Sequence, residues 1–159
     1  MSWNQPMNPE GSNPRAFIDA NVPMYAAGEE HPLREPSIRV MQIITARPHR
    51  FLTDAEVFQE IIHRYVSVRR WPHGRQVFNE FVETMHGRIE PVYAEDVVHA
   101  AALADHHGNV SSRDLLHAAV ALRLGVSHII STDTDFDRLP VVTRLAPERI
   151  DGWAGALFA

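Results

Sequence analysis

The 159-residue chain contains no cysteine, which excludes disulfides, zinc-thiolate centres and thiol nucleophiles together. Any bound metal must therefore use oxygen or histidine. Lysine is absent as well, all fifteen basic residues being arginine. No Schiff-base or phosphate-loop lysine is available, while planar groups able to grip phosphates bidentately are plentiful. Positive charge is scarce overall, and a net charge of −5 argues against broad adhesion to nucleic acid through a basic field. No apolar run approaches the roughly 20 residues that span a bilayer, and Met1 to Pro14 is polar with three prolines, unlike a charged-then-apolar signal segment. These absences predict a soluble, cytoplasmic protein with no membrane span.

With 45% hydrophobic and 22% charged residues, the composition suits one globular domain with a sizeable core. A flexible lead over 1–14 precedes Arg15 to Ile18, a short apolar run ending at Asp19, where Asn21 and Pro23 are expected to break regularity. A helix is predicted over Leu33 to Ala46. Another opens with Thr53 as cap and Glu56 completing a capping box, with Val57, Ile61, Tyr65 and Val68 on one stripe. Further helices are expected over Arg75 to Met85 and Ala94 to His106, with a strand at Arg88 to Tyr93 between them. Ser111 and Asp114 form a second box-like start, and Leu115, Ala118, Ala119 and Leu122 face inward up to Gly125. His128 to Ser131 reads as a buried strand, Thr132 to Asp137 as an acidic turn and Val141 to Thr143 as an edge strand. The stretch 151–159 has no clear assignment. Short strands alternating with helices predict an α/β fold with a mostly parallel central sheet covered on both faces.

Four carboxylates have positions from which they can converge. Asp19 and Asp133 follow apolar strands, and in open α/β sheets the ligand crevice lies at the carboxyl ends of the strands. Glu60 and Asp114 stand on helices able to lean over it. Converging carboxylates repel one another unless a cation separates them, and a hard divalent ion such as Mg2+ or Mn2+ prefers such oxygen ligands. Each residue also has a plainer reading. Asp before Asn and Pro is a common turn former, Glu60 fits a solvated helix face, and Asp114 can serve in a capping box with Ser111. Asp133, Asp135 and Asp137 crowd into five residues, of which Asp133 is favoured as ligand and Asp135 as a supporting or second-metal residue.

The segment Phe17-Ile18-Asp19-Ala20-Asn21, the helical Glu60, the run Arg113-Asp114-Leu115-Leu116-His117-Ala118-Ala119 and the run Ser131-Thr132-Asp133-Thr134-Asp135-Phe136 together resemble a PIN-domain ribonuclease of the VapC toxin type. The resemblance spans about Arg15 to Val142. It implies a PIN-like domain over 15–150 followed by a C-terminal tail over 151–159. It also implies a Mg2+- or Mn2+-dependent endoribonuclease, often a homodimer, held inactive by a cognate antitoxin. Asp19, Glu60, Asp114 and Asp133 would be catalytic, with Asp19, Asp114 and Asp133 on the metal. Asn21, Ser131 and Asp135 would support them, and Arg113 would guide RNA.

Other readings are weaker. Glu60 with His63 and Asp114 with His117 show the acid-x-x-His spacing of di-iron bundles, but the strand runs at Phe17 and Ile129 do not fit four long helices. His63 and His117 are then packing or supporting residues. A haloacid-dehalogenase-like phosphatase would need a second Asp at position 21 and a lysine. A catalytically silent PIN-like module that binds RNA or protein remains the alternative, and its mark would be loss of the site acids.

Overall fold

Apolar runs this short and unbroken cannot face water on either side. Ala16, Phe17 and Ile18 are fully buried, as are Ile129 and Ile130. They form the inner strands of a five-stranded, all-parallel sheet in the computed structural model, which describes residues 14–158. Most of the expected lead therefore lies outside the described residues. The strands are β1 (Ala16–Ile18), β2 (Phe51–Asp54), β3 (Ile89–Glu90), β4 (His128–Ile130) and β5 (Thr143–Leu145), in the order β3-β2-β1-β4-β5. Phe17 is in register with Leu52 on one side and Ile129 on the other.

Parallel neighbours need long crossovers, and helices supply them. Helices α1 (Asn21–Ala26) and α2 (Arg34–Ala46) link β1 to β2, while α3 (Ala55–Ser67) and α4 (Trp71–Thr84) link β2 to β3. Then α5 (Ala94–Ala104) and α6 (Ser112–Arg123) return the chain to β4, and α7 (Ile150–Phe158) follows β5. The chain builds outward from β1 to β3 and then restarts beside β1 with β4. The order thus reverses between β1 and β4, where a crevice opens at the strands' carboxyl ends. Among the described residues no helix is long and apolar enough to cross a membrane.

Several local expectations are corrected. Residues 51–54 are a strand that the sequence reading passed over. Thr53 lies inside it, its hydroxyl donating to Ile18 O at 2.9 Å, so the cap of α3 is Asp54, whose Oδ1 accepts the Val57 N–H at 2.9 Å. Glu56 closes no capping box and instead faces Arg113 at 3.6 Å. Val68 is 45% exposed, and Phe58 takes its place on the buried face. Asn21 and Pro23 begin a helix rather than break one, since a first-turn proline removes no helical hydrogen bond. For the same reason α4 starts at Trp71, with Pro72 in its first turn. Pro91 limits β3 to two residues, and β5 lies two residues beyond its expected start. The unassigned stretch is helical, with Trp153 and Phe158 buried and the Phe158 ring 4.6 Å from that of Phe51.

Gly74 explains why α3 and α4 approach so closely. A Cβ at this position would lie 2.3 Å from the Tyr65 Cβ and 2.4 Å from its Cγ, so no side chain fits unless one helix moves. Gly74→Ala is expected to destabilise the protein by about 1–3 kcal/mol through overpacking, read as a lower urea midpoint. An unchanged midpoint would mean the helices slide apart freely.

Candidate active site

Asp19 leaves the sheet at the order reversal, its N–H donating to Ile130 O across β4 at 3.1 Å. The residue is 2% exposed. Its Oδ1 accepts the Ala20 N–H at 2.8 Å, and its Oδ2 accepts the Ser131 hydroxyl at 2.6 Å and the Asn21 amide at 3.0 Å. Asn21 also donates to Ser131 Oγ at 3.0 Å, and its own oxygen accepts the Thr132 N–H at 3.1 Å. Ser131 Oγ further accepts the Asp133 N–H at 3.0 Å. The loops after β1 and β4 are therefore clamped together with Asp19 fixed between them.

Asp133 begins the short 3-10 turn Thr134–Arg138, its Oδ1 accepting the Asp135 N–H at 2.9 Å. Asp114 arrives from α6. Ser111 caps that helix by accepting the Asp114 N–H at 3.2 Å. Asp114 is 5% exposed, and its carboxylate Oδ2 is buried with no hydrogen-bond partner. The backbone of Asp114 thus serves the cap, which leaves its side chain available for another task. Asp114, Asp133 and Asp135 each offer an oxygen, and the three oxygens lie within 4.8 Å of one another. Atoms of Asp19, Glu60 and His117 form a second group within the same limit.

The electrostatics follow from this crowding. Burial, then the charges of Asp19 and Asp133, push the Asp114 carboxyl up to about 8. Burial also raises Asp19, with Glu60 adding to it and His117 and Ser131 opposing. Burial acts to raise Glu60, but the hydrogen bond and charge of His117, followed by Arg113, outweigh it and hold that carboxyl below its ordinary value. For His117 burial acts to lower the value, and the Asp54 carboxylate, with Glu60 and Asp19, overrides it and raises the imidazole well above its usual range.

His117 meets the distance test for a metal ligand, yet both of its nitrogens face carboxylates. Nδ1 is 2.8 Å from Asp54 Oδ2, while Nε2 is 3.4 Å from Glu60 Oε2 and 3.9 Å from Asp19 Oδ1. A ligating imidazole needs a free lone pair, whereas carboxylates facing both nitrogens favour the doubly protonated ring. Arg113, expected to guide RNA, stands 3.4 Å from Glu60 and 3.6 Å from Glu56. His63 lines a neighbouring cleft.

Sequence reasoning missed Asp54, which is completely buried. A signal was present: Phe51-Leu52-Thr53-Asp54 is an apolar run ending in Asp, as is Phe17-Ile18-Asp19. The capping pattern assigned to Thr53 and Glu56 concealed it.

The arrangement has counterparts. A family model described as PIN domain matches residues 16–142. Ribonuclease VapC13 of Mycobacterium tuberculosis is 34% identical over 130 residues, covering 82% of this chain and 98% of the relative. Ribonuclease VapC23 of Mycobacterium tuberculosis is 37% identical over 119 residues, covering 74% and 91%. In fold, the chain matches the crystal structure of Mycobacterium tuberculosis VapC20, a sarcin-ricin loop cleaving toxin, with a TM-score of 0.61 at 17% identity over 77% of this chain and 92% of that one. An all-parallel sheet with acids gathered at its order reversal, together with these matches, means that the chain belongs to the PIN-domain family, in its VapC branch.

Proposed function

We propose that this chain is a metal-dependent endoribonuclease, the toxin of a toxin-antitoxin pair. The observation that carries the reading is the buried Asp114 carboxylate, whose Oδ2 has no hydrogen-bond partner and which gathers with Asp133 and Asp135. A buried carboxylate oxygen without a donor is costly, and with the Asp133 and Asp135 carboxylates gathered beside Asp114 a cation is the fitting partner. The donor set is all oxygen, which suits Mg2+ or Mn2+. Asp19, Asp114 and Asp133 would hold the ion with Asp135 beside them, and Glu60 would complete the catalytic acids. When bound, such an ion supplies a Lewis acid that lowers the pKa of water and offsets charge growing on the phosphate. Asn21 and Ser131 keep Asp19 oriented, and the His117 cation and Arg113 keep Glu60 ionised and in place.

Next to the acids runs a cleft of about 670 Å3 that shares Asn21 and Glu60 with them. Its lining includes Arg64, Arg70 and Arg113, the acids Glu29 and Glu30, and the rings of Tyr25 and His31, which are 4.8 Å apart. Cations that follow a backbone, combined with rings that accept unstacked bases, suit single-stranded or looped RNA. Membership in the VapC branch supports a cognate antitoxin as inhibitor. A homodimer belongs to the same reading, and the exposed Val97 and Val98 of α5 are apolar surface that self-association would cover.

The test is incubation of a cellular RNA pool with purified, antitoxin-free protein in Mn2+, in Mg2+ and in EDTA, with cut ends mapped by sequencing. Discrete cuts that need the ion are expected. A folded protein that cuts nothing with either ion would instead be a silent RNA- or protein-binding module.

A further inference from the structure

We infer that Asp54 and His117 form a buried positioning pair that ties α3 to α6 and sets where Glu60 and Asp19 stand in the crevice. The inference rests on the nuclease reading and extends it to two residues outside the four acids. Asp54 ends β2 and uses its two oxygens for different tasks. Oδ1 accepts the Val57 N–H and so fixes the first turn of α3, the helix that carries Glu60. Oδ2 bonds His117 Nδ1 at 2.8 Å, and His117 lies on α6 one turn beyond Asp114. One carboxylate therefore joins the start of α3 to the helix that delivers Asp114.

The imidazole is held on more than one side. Its Nδ1 edge is bound to Asp54, and the Phe17 ring packs on it at a centroid distance of 5.3 Å. Its remaining edge points to Glu60 Oε2 at 3.4 Å and Asp19 Oδ1 at 3.9 Å. Both members of the pair are completely buried. A pair serving only to join two helices would gain nothing from aiming its free edge at two acids of the crevice. This one holds a donor against them, as the partners behind metal ligands do when they orient a carboxylate.

Three variants test the inference: Asp54→Asn, His117→Ala and the double replacement. Asparagine is close in shape to aspartate and its side-chain oxygen can still cap α3, so Asp54→Asn leaves the helix start intact while removing the acceptor from His117. Mn2+ affinity is measured by titration calorimetry on the folded proteins without RNA. RNA cleavage is then resolved into kcat and KM well below each melting temperature. Both single variants are expected to bind Mn2+ about 10- to 100-fold more weakly and to lose kcat by a similar factor, with KM for RNA unchanged within about twofold. The double variant is expected to be no worse than the poorer single one, the non-additivity of groups that act as a unit. Parent-like Mn2+ affinity and kcat in folded Asp54→Asn would overturn the inference, and that variant decides alone if His117→Ala folds poorly. A parent that binds Mn2+ but cuts no RNA would instead defeat the nuclease reading, and the calorimetric comparison would still judge the pair.

Discussion

Replacing Asp114 by asparagine is expected to abolish RNA cleavage, by more than about a hundredfold, and at the same time to raise the melting temperature of the metal-free protein. Function and stability move in opposite directions because the residue is strained by its surroundings. Its carboxylate is buried, one oxygen has no donor, and the charges of Asp19 and Asp133 act on it, which is why its pKa stands at about 8. An amide removes the charge, the repulsion and most of the desolvation penalty. It also offers N–H donors to the neighbouring carboxylates, but it is a poor ligand for a hard divalent ion. With several kcal/mol of such penalty in play, a gain of at least about 5 °C is expected for a chain of this size. Asp19→Asn and Asp133→Asn should likewise lose most cleavage while remaining folded. The measurement is thermal melting in EDTA beside RNA cleavage in Mn2+. Parent-like cutting by all three variants would dismantle the site assignment. A lower melting temperature for metal-free Asp114→Asn would show that the carboxylate stabilises the fold instead.

The second large effect is a reversal of pH dependence by the ion. Asp114 has a folded pKa of about 8 against an ordinary value of 3.8. In the metal-free protein its contribution is therefore fully present below about pH 4 and is lost as pH rises through 8. Asp19, raised chiefly by burial, acts in the same direction. His117 is raised above 6.5, so the stability it supplies holds below that pH and falls away as pH climbs through its folded value. Glu60 is lowered, and its contribution is lost only on acidification below about pH 4.5. Between pH 5.5 and 8 Asp114 makes the metal-free fold less stable as pH rises, and above 6.5 His117 acts in the same direction. Ion binding requires ionised carboxylates, so stabilisation by Mn2+ must grow over the same interval. The gap between melting temperatures with and without Mn2+ is expected to widen by about 5 °C or more from pH 5.5 to 8. Scanning fluorimetry across pH in EDTA and in Mn2+ measures it. A gap that is constant, or that narrows toward pH 8, would mean the raised acids do not bind the ion.

How far such a site can be read beforehand depends on the kind of residue. Asp19 and Asp133 are legible because each follows an apolar strand, and a buried parallel strand releases the polar residues after it at the crevice. Asp114 is legible as part of a helix start, but not in its role, since one Ser-x-x-Asp pattern is compatible with a cap and with a ligand. Glu60 stood out only through the family pattern, because an acid on an amphipathic helix resembles its solvated neighbours. His117 reads from the sequence as packing or support, and Asp54 is hidden behind a capping motif that the pattern assigns to Thr53. Both depend on a partner at the far end of a contact spanning 63 positions, which no local pattern contains.

The sequence by itself determined the alternation of strands and helices, the absence of thiol and lysine chemistry and the set of acids from which a site is made. These follow from residue type and short-range spacing, through burial of apolar runs and the chemistry of side chains. The tertiary structure alone decided that residues 51–54 form a strand rather than a cap and that Asp135 joins Asp114 and Asp133. It decided too that one buried histidine stands among the carboxylates with Asp54 at its back. Those outcomes depend on sheet order and helix crossing, which bring together groups distant in the chain, and the energy of a buried charge is set by the neighbours it finally meets.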